Sequence, residues 1–142
     1  MFKNILVAAD DSVTAARAVS TAVELVKGLG GTLHVMTAYR PDSGRVDKLP
    51  DEYMDRMTDP ADLLLAKLRE SIEKEGVEAR YHPAAGSAAD AIIKVADHVG
   101  ADLIVVGNRG MKGVRRVLGS VPNSVAHNAN CSVLIVDTVS EN

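Results

Sequence analysis

Asp102–Ser120 reads DLIVVGNRGMKGVRRVLGS, an apolar run that opens directly into a stretch of glycines and cations. The run Asp102–Val106 predicts a short strand. Glycines at 107, 110, 113 and 119 let the backbone approach a ligand closely and reach φ > 0. Arg109, Lys112, Arg115 and Arg116 add positive charge. Between Leu103 and Val136 there is no Asp or Glu, although the formal net charge of the whole chain is −3. Phosphate groups are held by bare N–H groups and helix N-termini, so a glycine-rich, anion-friendly loop after a strand points to a nucleotide. The plainer reading is that these glycines only shape a loop and cap helices.

Working outward, Ile5–Ala9 is a short apolar run without polar alternation, as expected of a parallel strand covered on both faces. Asp11 or Ser12 can cap a helix whose apolar positions Ala15, Ala18, Val19, Ala22 and Val26 recur at helical spacing. Gly28 to Gly31 should stop that helix. Thr32–Thr37 predicts a second strand. Arg40–Pro60 loses all periodicity and holds four prolines or glycines, Pro41, Gly44, Pro50 and Pro60, so it reads as a long mobile loop or a partly ordered excursion. Ala61, Leu64, Leu65, Leu68 and Ile72 form a second helical stripe closed by Gly76, and Val77–His82 predicts a third strand. Ser87 can cap a third helix with the stripe Ala88, Ile92, Val95 and Val99, ending at Gly100. Ser120–Ala129 predicts a short helix and Ser132–Asp137 a fifth strand.

Strands alternating with helices imply an α/β fold, with a parallel sheet wrapped on both faces. The expectation is a single domain over residues 1–142, an open five-stranded sheet in the order 3-2-1-4-5. That order sets strands 1 and 4 side by side where the winding reverses, and ligands bind such sheets at the strands' carboxyl ends at that switch point. Asp10 ends strand 1 and Gly107 ends strand 4, so the two features meet at one crevice.

Composition narrows the function. The chain has 142 residues, 46% hydrophobic and 25% charged, the values of an ordinary globular domain. Four aromatics, Phe2, Tyr39, Tyr53 and Tyr81, leave little for stacking bases along a strand of nucleic acid, and the slightly acidic balance argues the same way. No apolar run approaches the roughly 20 residues of a membrane span. The start, MFKNILVAADDS, is too short in its apolar run for a signal peptide. One cysteine, Cys131, fits a reducing compartment. These features predict a cytoplasmic protein that binds neither nucleic acid nor membrane.

The glycine stretch matches neither the P-loop GxxxxGK[ST] nor the dinucleotide fingerprint GxGxxG, since its spacing is GxxGxxG. In Asp10-Asp11-Ser12 one carboxylate can bind a ribose hydroxyl or a phosphate-held metal, or the three can simply cap a helix. Phosphoacceptor signalling would need an Asp at the end of strand 3, where His82-Pro83 stands instead. His34, His82, His98 and His127 are scattered without metal-ligand spacing, and His34 reads as a structural histidine. No GxSxG elbow or nucleophile–base set is visible. No catalytic residue is assigned.

The stretches KNILVAADDS, TLHVMTAY and VVGNRGMKGVRRVLGSVPNSVAHNANCSVLIV together resemble the universal stress protein family over essentially the full length. The family's ATP-binding subgroup carries G-x2-G-x9-G-[ST]. Here Gly107-x2-Gly110 and Gly119-Ser120 match, with eight residues rather than nine between Gly110 and Gly119. The resemblance implies that Asp10 binds the ribose or a phosphate-linked Mg²⁺. It implies that the Ala8–Ala9 backbone and Val35 line an adenine pocket and that Val106 contacts the adenosine. Gly107, Arg109 and Gly110 would wrap the phosphates from one side, and Gly119, Ser120 and Val121 from the other. Ala8 stands where the family often has proline. The resemblance also implies a homodimer joined through the last strand, Ser132–Asp137, an apolar edge that invites pairing.

The function expected from this is an ATP-binding regulator or sensor, with Mg²⁺ accompanying the nucleotide. The alternatives are a slow Mg-dependent ATP hydrolase or self-phosphorylating protein, and a dimeric interaction module that binds no nucleotide.

Overall fold

Short runs of β-branched and aliphatic residues form the centre of the molecule. The computed structural model describes residues 2–10, 13–40, 59–108 and 120–137. In chain order these form β1 (Asn4–Ala8), α1 (Val13–Leu29), β2 (Thr32–Tyr39), α2 (Pro60–Lys74) and β3 (Ala79–Ala85). They continue with α3 (Ala88–Val99), β4 (Leu103–Gly107), α4 (Val121–Asn128) and β5 (Ser132–Val136). All five strands pair in parallel in the order β3-β2-β1-β4-β5, as the alternation of strands and helices predicts.

Strand alternation divides the core into two layers, because successive side chains point to opposite faces. Ile5, Val7, Leu33, Val35, Leu103 and Val105 meet Ala18, Val19, Ala22, Val23 and Val26 of α1 and Leu65 and Ile72 of α2. Leu6, Met36, Ile104 and Val106 point the other way, onto Ala91, Ile92, Val95 and Ala96 of α3 and Val125 of α4. Both faces are therefore covered, which is why β1 and β4 read as unbroken apolar runs.

The element ends differ from the sequence reading in ways that have physical causes. Gly28 does not stop α1 but lies inside it, and the chain turns at Gly30 (φ 77°) and Gly31 (φ 103°). At Gly31 an added Cβ would lie 2.9 Å from the Lys3 carbonyl oxygen, so the turn needs glycine for space as well as for conformation. Pro60 is not loop but the first residue of α2, with Asp59 as N-cap accepting from the Ala61 amide at 2.9 Å. Proline suits that position because its missing N–H would have no partner there. β2 runs on to Tyr39, and β3 begins two residues later than predicted and continues through Pro83 to Ala85. A proline is tolerated because β3 is the outer strand of the sheet. Ser87 precedes α3 as predicted, yet its hydroxyl donates to the Asp90 carboxylate at 3.1 Å rather than accepting from a helix amide. Gly100 closes α3 in the left-handed conformation, φ 68°. β4 begins at Leu103, and Asp102 just before it fastens the start of β1: its two carboxylate oxygens accept from the amides of Lys3 (2.9 Å) and Asn4 (3.1 Å), and its own amide donates to the Asn4 carbonyl at 2.9 Å. Most of the Arg40–Pro60 segment, residues 41–58, lies outside the described residues, as do Asp11 and Ser12.

Candidate functional site

β1 and β4 are hydrogen-bonded neighbours, and the chain leaves them in different directions: from β1 toward β2, from β4 toward β5. Their carboxyl ends form the switch point where a crevice opens in a sheet of this order. Three pieces of sequence meet there.

The first is Ala8-Ala9-Asp10. The Ala9 amide donates to the Met36 carbonyl at 2.9 Å, so the ladder with β2 continues one residue past β1. Ala9 is buried, and Asp10 emerges exposed immediately after it. The second is Val106-Gly107-Asn108. The Asn108 amide donates to the Val136 carbonyl at 2.9 Å, and its side-chain Nδ2 donates to the Asp137 carboxylate at 3.1 Å. This buried asparagine, absent from the sequence reading, ties the exit of β4 to the exit of β5. The glycine-rich stretch therefore departs from a fixed point.

The third is the start of α4. Three residues after α4 the chain enters β5, so α4 runs back along the sheet and its N-terminus lies at the strands' carboxyl end. Val121 and Ala8 both pack against the layer containing Val106 and Val125. Ser120 is buried and is the N-cap, its Oγ accepting from the Asn123 amide at 3.2 Å. That contact uses an acceptor site of the hydroxyl and leaves its O–H to donate elsewhere. Pro122 has no N–H, and the Ser124 amide donates to the Ser120 carbonyl at 3.0 Å. In the first turn of α4 the Val121 N–H is thus the amide that the helix itself does not use. Together the Ser120 hydroxyl and the Val121 amide make a small pair of donors at the positive end of a helix, suited to an anion.

The expected site residues divide accordingly. Ala8, Ala9, Asp10, Val106, Gly107, Ser120 and Val121 gather at or just beneath the switch point. Val35 lies one pairing step below Ala8, level with Val7, and its side chain is fully buried in the layer under α1 and α2. Val106 is buried in the opposite layer. Arg109, Gly110 and Gly119 lie outside the described residues, with the cations Lys112, Arg115 and Arg116. Asp10 stands as an exposed carboxylate just past the end of β1. Among the described residues no three His, Cys, Asp or Glu side chains are grouped to hold a metal.

A second polar cluster lies at the opposite end of the sheet. His34, His82 and His98 are brought together there with Asn4 and Arg80, although in sequence they are scattered. The diagonal proximity of His34 and His82 on neighbouring strands follows from the β2–β3 register, which spacing along the chain does not reveal.

The model of the universal stress protein family matches residues 1–137. A universal stress protein of Mycobacterium tuberculosis is 36% identical over 143 residues, covering 96% of this chain and 97% of the relative. A crystal structure of a universal stress protein in complex with cAMP superposes with a TM-score of 0.81 at 34% identity, over 96% of this chain and 98% of the other. The universal stress protein from Archaeoglobus fulgidus in complex with dAMP gives a TM-score of 0.71 at 29% identity, over 96% of this chain and 98% of the other. Sequence and fold agree along the whole matched length, and the chain belongs to the universal stress protein family.

Proposed function

We propose that the chain binds an adenine nucleotide at the carboxyl ends of β1 and β4, and that occupancy of this crevice, rather than fast catalysis, is its output. The observation that carries the reading is the buried Ser120 at the head of α4, with a hydroxyl proton and the Val121 amide available at the switch point. The likeness to family members in complex with cAMP and dAMP supports the adenine part of it. In this reading Gly107, Arg109 and Gly110 take one side of the phosphates and Gly119, Ser120 and Val121 the other. The Ala8–Ala9 backbone borders the base, while Val35 and Val106, buried on opposite faces of the sheet, support the strand ends from within the core instead of lining the base directly. Asp10 binds the ribose or a Mg²⁺ that also holds phosphate oxygens. An exposed carboxylate fits that ion, which usually keeps several waters and takes one or two carboxylates beside phosphate. The ion would neutralise phosphate charge.

The nucleotide is ATP in the first form of this proposal. AMP or cAMP is the second form, favoured because the two related complexes hold adenine monophosphates. The same reading makes the protein a cytoplasmic homodimer joined through β5. It supposes that bound nucleotide changes the 40–60 segment, which leaves β2 beside the crevice, provided the ligand prefers one state of that segment.

Freshly purified protein, denatured and chromatographed, should release an adenine nucleotide. Calorimetry with ATP, AMP and cAMP, with and without Mg²⁺, then ranks them. No released nucleotide together with no heat of binding would defeat the proposal. ATP turnover clearly above that of a Gly110→Asp variant would favour the slow hydrolase instead.

A further inference from the structure

At the amino end of the sheet, away from the proposed nucleotide crevice, His34 of β2 and His82 of β3 are joined ring to ring. His34 Nδ1 and His82 Nε2 are 3.0 Å apart, and the rings lie 5.2 Å between centroids at 28°. The other nitrogen of His34, Nε2, faces the Asn4 side-chain oxygen at 3.4 Å, and the Asn4 Nδ2 donates to the Gly100 carbonyl at 3.5 Å. The direction of this chain follows from its far end. An amide oxygen only accepts, so His34 carries its proton on Nε2, its Nδ1 is an acceptor, and His82 donates to it from Nε2. Three strands and the C-cap of α3 are thus connected by one directed series of hydrogen bonds, β3 to β2 to β1 to Gly100.

The surroundings of the pair are cationic. It borders a hollow of ≈ 400 Å³ to which β1 contributes Asn4, β2 Thr32, β3 Arg80, and α3 His98 and Val99. No carboxylate lines the hollow among the described residues, and the Asp102 carboxylate beside β1 is committed to the Lys3 and Asn4 amides. The two ring nitrogens address each other rather than converge on a third point, and no metal-ligand cluster is present among the described residues. The ligand suited to such a pair is the proton.

We propose that the His34–His82 pair is a proton-operated latch, which holds the outer strand β3 and the end of α3 to the sheet while it carries at most one proton and releases them when a second binds. The first proton goes to His82 Nδ1, on the far side of the ring, and leaves the Nε2–H to His34 Nδ1 bond in place. The second must take the lone pair of His34 Nδ1. Two N–H groups then face each other across 3.0 Å, beside Arg80 and His98, and the bond is replaced by repulsion. His82 is the partly exposed member, so it is the ring that swings to solvent. Burial is the main reason the pKa of each of the two lies below the ordinary histidine value. His82 and then Arg80 add like-charge repulsion at His34, and His98 and then Arg80 add it at His82.

The sign follows from linkage. In the unfolded chain both histidines protonate near pH 6.5, whereas the folded pair resists. The stabilisation is complete above that pH and is lost as pH falls below it, because the unfolded state then binds more protons. Imidazole NMR of the wild-type chain from about pH 7.5 to about pH 4.5 should resolve two coupled steps for His34 and His82, separated by more than about one pH unit. Exchange of the β3 amides should quicken with the second step. His82→Gln keeps a side-chain N–H donor for His34 but cannot take a proton. Its urea midpoint should match wild type near neutrality and fall less as pH drops. Independent titration of both rings near the free-histidine value would overturn the latch, as would a midpoint in His82→Gln that falls with pH as steeply as in wild type. The NMR titration needs only the wild-type protein and decides the matter even if the variant folds poorly.

Discussion

Ser120 caps the start of α4, its Oγ accepting from the Asn123 amide, and under the proposed function the hydroxyl proton is donated to the nucleotide as well. The two roles separate experimentally. Ser120→Ala removes the cap and should cost about 1 kcal/mol of stability, measured by urea unfolding without nucleotide. Under the proposed function it also removes a hydrogen bond to a charged group, worth about 1.5–3 kcal/mol, so affinity should fall by roughly tenfold or more. Ser120→Thr keeps the hydroxyl and should restore most of both. If Ser120→Ala lost the stability but bound nucleotide with unchanged affinity, Ser120 would be a cap alone and the phosphate contacts would have to lie elsewhere.

Among the elements, β5 is the outer strand beside β4, and Leu134 on it is 36% exposed. Val133 and Ile135 are turned onto the α3–α4 layer and Val136 onto the α1 side, so Leu134 is the large apolar side chain that this strand leaves most open to solvent. An apolar outer strand is an aggregation hazard unless something covers it. If a second copy does so, as proposed, Leu134→Lys should turn a dimer into a monomer in analytical ultracentrifugation while preserving the circular dichroism of the fold. A wild-type monomer, or a variant that stays dimeric, would exclude this interface. The elements themselves were readable because burial on both faces leaves an unmistakable mark, as in Ile5–Val7 and Leu103–Val106. Their ends were less so. Gly28 looks like a stop signal but sits in a helix already held by Ala22 and Val26, and Pro83 looks like a strand end but lies on an outer strand. The positions of Asp10, Gly107 and Ser120 in the fold were readable from the chain because Asp10 follows β1, Gly107 ends β4 and Ser120 precedes α4. The bond made by Asn108 was not, since its partner Asp137 lies just past β5, and the His34–His82 pair was not because its two members lie on different strands.

For the whole molecule, binding and folding are linked, and this gives the proposed function a test that depends on no single side chain. A ligand that binds only the folded state stabilises it by RT ln(1 + [L]/Kd), about 2.7 kcal/mol at a hundredfold excess over Kd. For a chain of 142 residues that corresponds to a rise in Tm of roughly 5–10 °C. Above Kd the rise should continue in proportion to the logarithm of nucleotide concentration, which separates site binding from a general ionic effect. The net charge of the chain is −3, so it has no overall attraction for a polyanion. Under the proposed function, affinity for phosphate comes from the donors at the head of α4 and from the sequence cations Arg109, Lys112, Arg115 and Arg116. Screening therefore identifies the source. If the cations engage the outer phosphates, the shift produced by ATP should shrink with added salt more than the shift produced by AMP. A Gly119→Asp variant, with a carboxylate set beside Ser120, should show no shift with either nucleotide while unfolding cooperatively on its own. A wild-type Tm that does not move at millimolar nucleotide would remove adenine nucleotides from the account of this crevice.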